Sequence, residues 1–151
     1  MTRILMVCLG NICRSPLAHG IMQSKHSEDH YYVDSAGTAA YHIGNAPDKR
    51  SIAVAKQNDL DISTQSARQF KVSDFDAFDY IYAMDESNYS DIINIARNSD
   101  DIEKVKLFLE ANPSIQNKNM PDPYYGGSDG FEYVFNLINE TCDLLVKELG
   151  N

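Results

Sequence analysis

The chain has 151 residues, the length of one ordinary domain, and can bury about two-thirds of its unfolded surface. Hydrophobic residues make up 43% and charged residues 23%, which excludes a disordered chain, a collagen repeat and a disulfide scaffold. Lys and Arg number 13 against 22 Asp and Glu, and the resulting net charge of −9 opposes binding to nucleic acid or to an anionic membrane surface.

From the N-terminus, the nearly continuous apolar run Arg3–Val7 reads as a strand buried on both faces. Ser15-Pro16 reads as a helix start, with Ser15 as N-cap and Leu17, Ile21 and Met22 on one face. Tyr31–Ser35 is a second strand, ended by Ala36-Gly37, and Pro47-Asp48 opens a second helix that carries Ile52, Ala53 and Ala55. Asp79–Met84 is a third strand, Asp85–Ala96 a third helix and Lys104–Leu109 a fourth strand. Ser99-Asp100-Asp101 reads as a solvated loop and residues 110–128 as irregular chain. A last helix runs from about Phe131 to Leu149, its apolar stripe of Phe131, Val134, Phe135, Ile138, Cys142, Leu145 and Leu149 recurring at three- and four-residue steps.

Strands alternating with helices predict an α/β fold, a four-stranded parallel sheet with helices on both faces in a flavodoxin-like order, built as one domain over residues 1–151. Ligands of such sheets sit beyond the carboxyl ends of the strands, which directs attention to the loop after Val7. The odd, unevenly spaced set Cys8, Cys13 and Cys142 points to a reducing compartment rather than a disulfide framework. The apolar run Ile4–Leu9 is too short for a signal peptide or a membrane span, so the expected location is the cytoplasm. His19, His26, His30 and His42 show no metal-ligand spacing; His26 and His30 read as surface residues, and no metal or cofactor is expected.

The segment VCLGNICRSP from Val7 to Pro16 holds the chemistry. Gly10 and Asn11 tolerate positive φ, so the loop can curl with successive N–H groups pointing inward as an anion nest. The helix start adds free N–H groups and partial positive charge, and Arg14 can fork two N–H donors onto phosphate oxygens. Such surroundings favour the thiolate, and hence the nucleophilic form, of a cysteine held beneath.

Cys8-x5-Arg14-Ser15 at a strand end and helix start resembles the signature of the low-molecular-weight protein tyrosine phosphatases. Further matches follow in order: DSAGT at 34–38, a tyrosine and IGN within 41–45, PD-x-R at 47–50, ARQ at 67–69, FDYI at 78–81, AMDESN at 83–88 and DPYYGG at 122–127. The resemblance covers essentially the whole chain. It implies hydrolysis of phosphotyrosine and aryl phosphate monoesters on protein substrates, with Cys8 as nucleophile of a phosphocysteine intermediate. Arg14 and the backbone of Leu9, Gly10, Asn11, Ile12, Cys13 and Ser15 would bind the phosphate, and Asp122 would be the general acid. By the same resemblance Ser15 donates to the Cys8 thiolate, and Asn11 and Ser35 form a hydrogen-bonded pair that supports the loop. Asp85 supports the helix-start end of the loop, and Tyr41, Tyr124 and Tyr125 wall the pocket with Leu9 and Ile12 beside them. Cys13 is either a small hydrophobe under the loop or a reversible disulfide partner of Cys8. Gln65 stands where many members carry a histidine that anchors the loop asparagine, which implies a modest change in loop support.

Three rival functions share parts of this pattern. An arsenate reductase would need a further cysteine pair in the middle of the chain, where none occurs between Cys13 and Cys142. A phosphocarrier would not need Arg14 together with an acid. A non-catalytic phosphotyrosine-binding module would have lost Cys8, Arg14 or Asp122, and all three are present. The individual substrate and the oligomeric state are not legible from the sequence.

Overall fold

A computed structural model describes residues 1–25, 29–125 and 128–150. The chain forms β1 (Thr2–Cys8), α1 (Arg14–Lys25), β2 (Tyr31–Gly37), α2 (Lys49–Gln57), α3 (Asp74–Ala77), β3 (Tyr80–Ala83), α4 (Glu86–Ile93), α5 (Ser99–Lys104), β4 (Val105–Leu107) and α6 (Ser128–Gly150), with short 3-10 turns at Phe108–Ala111 and Pro123–Tyr125. The four strands pair in parallel in the order β2-β1-β3-β4. This is the expected four-stranded parallel α/β sheet, with β1 in the interior.

Side chains of β1 alternate between two apolar layers. Ile4, Met6 and Cys8 join a cluster with Leu17, Ile21, Phe131, Val134 and Ile138, whereas Leu5 and Val7 join Phe70, Phe75, Ile81 and Ile92 on the other face. A strand sandwiched in this way has no polar face, which explains its unbroken apolar run. The expected stripe on α6 is buried from Phe131 to Leu145, with Leu149 half-buried at the end. Each fully buried side chain of this kind contributes about 1.5–3 kcal/mol.

Three local expectations are corrected. The first helix begins at Arg14, so Ser15 lies in its first turn and does not cap it; its hydroxyl is engaged with Cys8 and Asn11 instead. Ser99-Asp100-Asp101 is the first turn of α5, not loop: Asn98 accepts from Asp101 N (2.9 Å) as N-cap, and the buried Asp101 carboxylate takes Arg97 Nε (2.9 Å). Phe108 and Leu109, placed in the fourth strand, form a 3-10 turn after β4 ends at Leu107. His30 is exposed as expected, while His26 lies outside the described residues.

The carboxyl ends of β1, β2 and β3 lie side by side, and the loop after β1 is held against its neighbours by backbone bonds. Thr38 N donates to Cys8 O (2.9 Å), Ala39 N to Leu9 O (2.9 Å) and Asp48 N to Ile12 O (2.8 Å). Gly37 makes this approach possible, because a Cβ there would stand 2.7 Å from Leu9 O and 3.0 Å from Gly10 C. Both are backbone atoms of the loop and cannot rotate away. Gly37→Ala is therefore expected to destabilise the chain by about 1–3 kcal/mol, the range for overpacking. Denaturant unfolding checks this, and a variant with the wild-type midpoint would show that the loop yields freely at that point.

Candidate active site

The loop 9–13 turns through Asn11, whose φ of 58° is in the left-handed region that Asn tolerates. That turn brings Asn11 N within 3.3 Å of Cys8 Sγ, to which it donates. Ser15 Oγ lies 3.0 Å from the same sulfur and accepts from Asn11 Nδ2 at 2.9 Å. The Ser15 hydroxyl has one hydrogen to give, and the acceptors within its reach are the sulfur at 3.0 Å and Ala36 O at the longer distance of 3.5 Å. Among the described residues, no protein acceptor meets the N–H groups of Gly10, Ile12, Cys13, Arg14 or Ser15. They form a set of unpaired donors around the start of α1, the arrangement that binds anions.

Arg14 is buried, and its two terminal nitrogens face different groups. Nη1 donates to Asp85 Oδ2 (2.7 Å) and Met120 O (3.0 Å), while Nη2 lies 3.5 Å from Asp122 Oδ2. Burial works against its charge, but Cys8, Asp85 and Asp122 outweigh that, and its pKa stands above the ordinary value. Asp85 is also the N-cap of α4, accepting from Asn88 N (2.8 Å) through its other oxygen. Asp122 is half-buried at the pocket edge, where Tyr124 N donates to its Oδ1 (3.0 Å).

Together these groups line a cavity of about 260 Å³ bounded by Cys8, Leu9, Gly10, Ile12, Cys13, Arg14, Tyr41, His42, Asp122 and Tyr124. The fold thus brings Cys8, Arg14 and Asp122 together with two of the three expected tyrosines; the Tyr125 side chain, Gly126 and Gly127 lie outside the described residues. Among the described residues there is no cluster of three or more His, Cys, Asp or Glu side chains fit to hold a metal ion, and no helix is long and apolar enough to cross a membrane.

This chain matches the family model described as low molecular weight phosphotyrosine protein phosphatase over residues 3–151. It is 44% identical to the low molecular weight phosphotyrosine protein phosphatase of Schizosaccharomyces pombe over 85% of both chains. It is 38% identical to the human protein of the same name, over 96% of this chain and 94% of that one. Its structure resembles the crystal structure of a protein tyrosine phosphatase from Entamoeba histolytica with a TM-score of 0.93 and 36% identity, covering 99% of this chain and 97% of that chain. The chain belongs to the low molecular weight phosphotyrosine protein phosphatase family. As a protein tyrosine phosphatase it is a hydrolase, and phosphoproteins are its class of substrate.

Within this phosphatase, the expected pair of Asn11 and Ser35 is not formed. Asn11 Oδ1 accepts from Arg68 N (3.0 Å), and Ser35 Oγ pairs instead with His19 Nδ1 (3.2 Å). Gln65 does not hold Asn11 either; its Nε2 donates to Pro16 O (3.1 Å). The Nε2 end of the Gln65 amide is thus committed to the first turn of α1, and the asparagine is held by a main-chain donor that no side-chain motif advertises. His42 also went unassigned in the sequence: it lines the pocket, and a Cβ on Gly10 would meet its ring at 3.0 Å. The neighbouring IGN motif was its only signal.

Burial, with Asp48, Cys8 and Asp122 nearby, pushes the Cys13 thiol up to about 12, so it is a neutral thiol near pH 7. Cys142 lies fully buried on the α6 stripe, as a core residue. Burial lowers the pKa of His19, with Asp34 and Gln65 offsetting it only in part. The folded pKa is then below the unfolded one, so the unfolded chain takes up this proton first. The His19 contribution to stability is fully present above about pH 6.5 and is lost as pH falls towards the folded pKa. Unfolding free energies between pH 7.5 and 5.5 are expected to fall more steeply for wild type than for His19→Gln; equal slopes would place this proton elsewhere.

Proposed function

We propose that residues 1–151 act as one phosphatase domain that hydrolyses phosphotyrosine, and aryl phosphates generally, through a phosphocysteine intermediate. The observation that carries this reading is the Cys8 sulfur on the floor of the pocket, with Asn11 N–H and the Ser15 hydroxyl on it and Arg14 beside it. The unpaired loop N–H groups and the Arg14 edge bearing Nη2 would take the non-bridging phosphoryl oxygens. The rims of Tyr41 and Tyr124 suit an aromatic ring better than an alkyl chain.

In the first step the Cys8 thiolate forms a bond to phosphorus while the bond to the phenolic oxygen breaks. Asp122 gives its proton to that oxygen, so tyrosine leaves neutral. In the second step Asp122 takes a proton from water as the water oxygen bonds to phosphorus. The phosphorus–sulfur bond breaks, and the sulfur leaves as a thiolate met by the Ser15 hydroxyl. Asp85 and Met120 O hold Arg14 from behind through both steps. The anion is bound by N–H donors and a guanidinium, so no metal is required and activity is expected to survive EDTA.

Cys8→Ser is expected to abolish turnover while retaining phosphotyrosine binding. A general acid matters most for a poor leaving group, and phenol, with a pKa of about 10, is one. Asp122→Asn should lower turnover of phenyl phosphate by about 100-fold or more, and of p-nitrophenyl phosphate by less. The check is rate against leaving-group pKa where formation of phosphocysteine limits. A dependence no steeper than wild type would remove Asp122 from the role and leave Asp85 as the next carboxylate to test.

We also propose that Cys13 captures oxidised Cys8 as a disulfide; the neutral Cys13 thiol then loses its proton as it attacks a Cys8 sulfenic acid and water leaves. Peroxide inactivation should be reversed by a thiol reductant in wild type and become irreversible in Cys13→Ser. Equal recovery in both would make Cys13 a packing residue only.

A further inference from the structure

The contacts that hold Asn11 continue past the Arg68 main chain. Residues 67–70 form a strap across the carboxyl end of β2. Gly44 N donates to Ala67 O (2.8 Å), Gly37 N to Arg68 O (2.9 Å) and Phe70 N to Gly37 O (2.7 Å). The strap meets the sheet through one isolated bridge, Gly37 with Gln69, so its backbone alone makes only a short ladder. Ala67 N also donates to Asn45 O (2.8 Å), and the Arg68 side chain adds a second anchor to these backbone bonds. Nη1 and Nη2 fork onto Asp74 Oδ2 and Oδ1 at 3.0 and 3.1 Å, and Nε donates to Asp34 Oδ2 at 3.2 Å.

Asp74 is only 2% exposed and also accepts from Lys71 N (2.9 Å), while Asp34 belongs to β2 itself. A bidentate guanidinium–carboxylate pair is directional as well as attractive. Held from both sides, the Arg68 peptide presents its N–H to Asn11 Oδ1; Asn11 Nδ2 then holds Ser15 Oγ, and Ser15 stands on the sulfur. A continuous series of hydrogen bonds therefore runs from two carboxylates outside the pocket to Cys8.

We propose that Arg68, braced by Asp74 and Asp34, is a positioning residue that aligns the Ser15 hydroxyl with the Cys8 sulfur. This rests on the reading of Cys8 as the nucleophile. The alignment acts mainly where sulfur leaves phosphorus, because there a hydrogen bond to the departing thiolate stabilises developing charge. Loss of the brace slows hydrolysis of phosphocysteine more than its formation. When the second step slows, kcat and KM fall together and kcat/KM is preserved, a split that general loosening of the fold does not produce.

The experiment compares wild type, Arg68→Met and Arg68→Lys with p-nitrophenyl phosphate, with unfolding curves and the burst of nitrophenol read alongside. Arg68→Met should lower kcat by about tenfold with kcat/KM changed by less than about threefold and a larger burst, since small misplacements of catalytic groups carry costs of this size. Arg68→Lys keeps the charge without the fork and should show the same split more weakly; it serves as the readout if Arg68→Met does not fold. In an Asn11→Ala background the Arg68 substitution should add less than about twofold, because both act through one contact. The proposal is overturned if a folded Arg68 variant keeps wild-type kcat, if kcat and kcat/KM fall equally, or if the full loss recurs in the Asn11→Ala background. Cys8→Ser assayed in parallel separates the two readings: activity there would refute the nucleophile, whereas an inactive Cys8→Ser beside an unaffected Arg68 variant would refute only the brace.

Discussion

The pocket depends on the conformation of one residue, Asn11. Its positive φ reverses the loop so that its own N–H meets the Cys8 sulfur, and its side chain bridges Ser15 and the Arg68 main chain. A non-glycine residue in that backbone region persists only when its surroundings determine it. Here both ends of the Asn11 amide are occupied, so the left-handed turn, the placement of sulfur and the unpaired N–H groups around it belong to one arrangement. The close approach of Gly37 backs the loop from the other side, where side chains larger than hydrogen would intrude.

A buried guanidinium sits beside that loop, and its cost is met by division of labour. Nη1 of Arg14 is committed to Asp85 and Met120 O, which satisfies part of a cation that burial alone would make unfavourable. Nη2 remains on the pocket side near Asp122. Asp85 serves two elements with one carboxylate, one oxygen capping α4 and the other holding Arg14. Rotation of α4 and the pose of Arg14 are thereby tied to each other. The proposed anion site is thus stiffened by groups that belong to three separate stretches of the chain.

Parallel strand order makes that convergence possible. With β1 between β2 and β3, the segments leaving all three strands emerge at one edge. The loop after β1, the turn after β2 and the Met84-Asp85 step after β3 become neighbours there, and Met120 N donating to Met84 O (2.8 Å) brings the Asp122 segment to the same edge. Asp48 N on Ile12 O, with the Asp48 carboxylate holding Arg50 N and Nε, fastens the start of α2 to the loop as well.

Local pattern and motif in the sequence determined much of this protein. The double-sided apolar run of β1, the stripe on α6, the four parallel strands and the grouping of Cys8 with Arg14 in one loop follow from residue types and spacing, whereas Asp122 is singled out only by the family resemblance. Such signals act over a few residues, within one turn or one strand. The α5 helix is hidden in the sequence because its first three residues, all polar, match a solvated loop, and only the Asn98 cap and the Arg97–Asp101 pair distinguish them. Tertiary structure alone decided the partners of Asn11, Ser35 and Gln65. The donor to Asn11 is a main-chain N–H, which every residue but proline possesses and no motif marks. Ser35 and His19 meet only because β2 packs beside α1. Residue types specify which groups can donate or accept; which of them meet is a matter of strand order and helix packing, and these arise from the whole core at once.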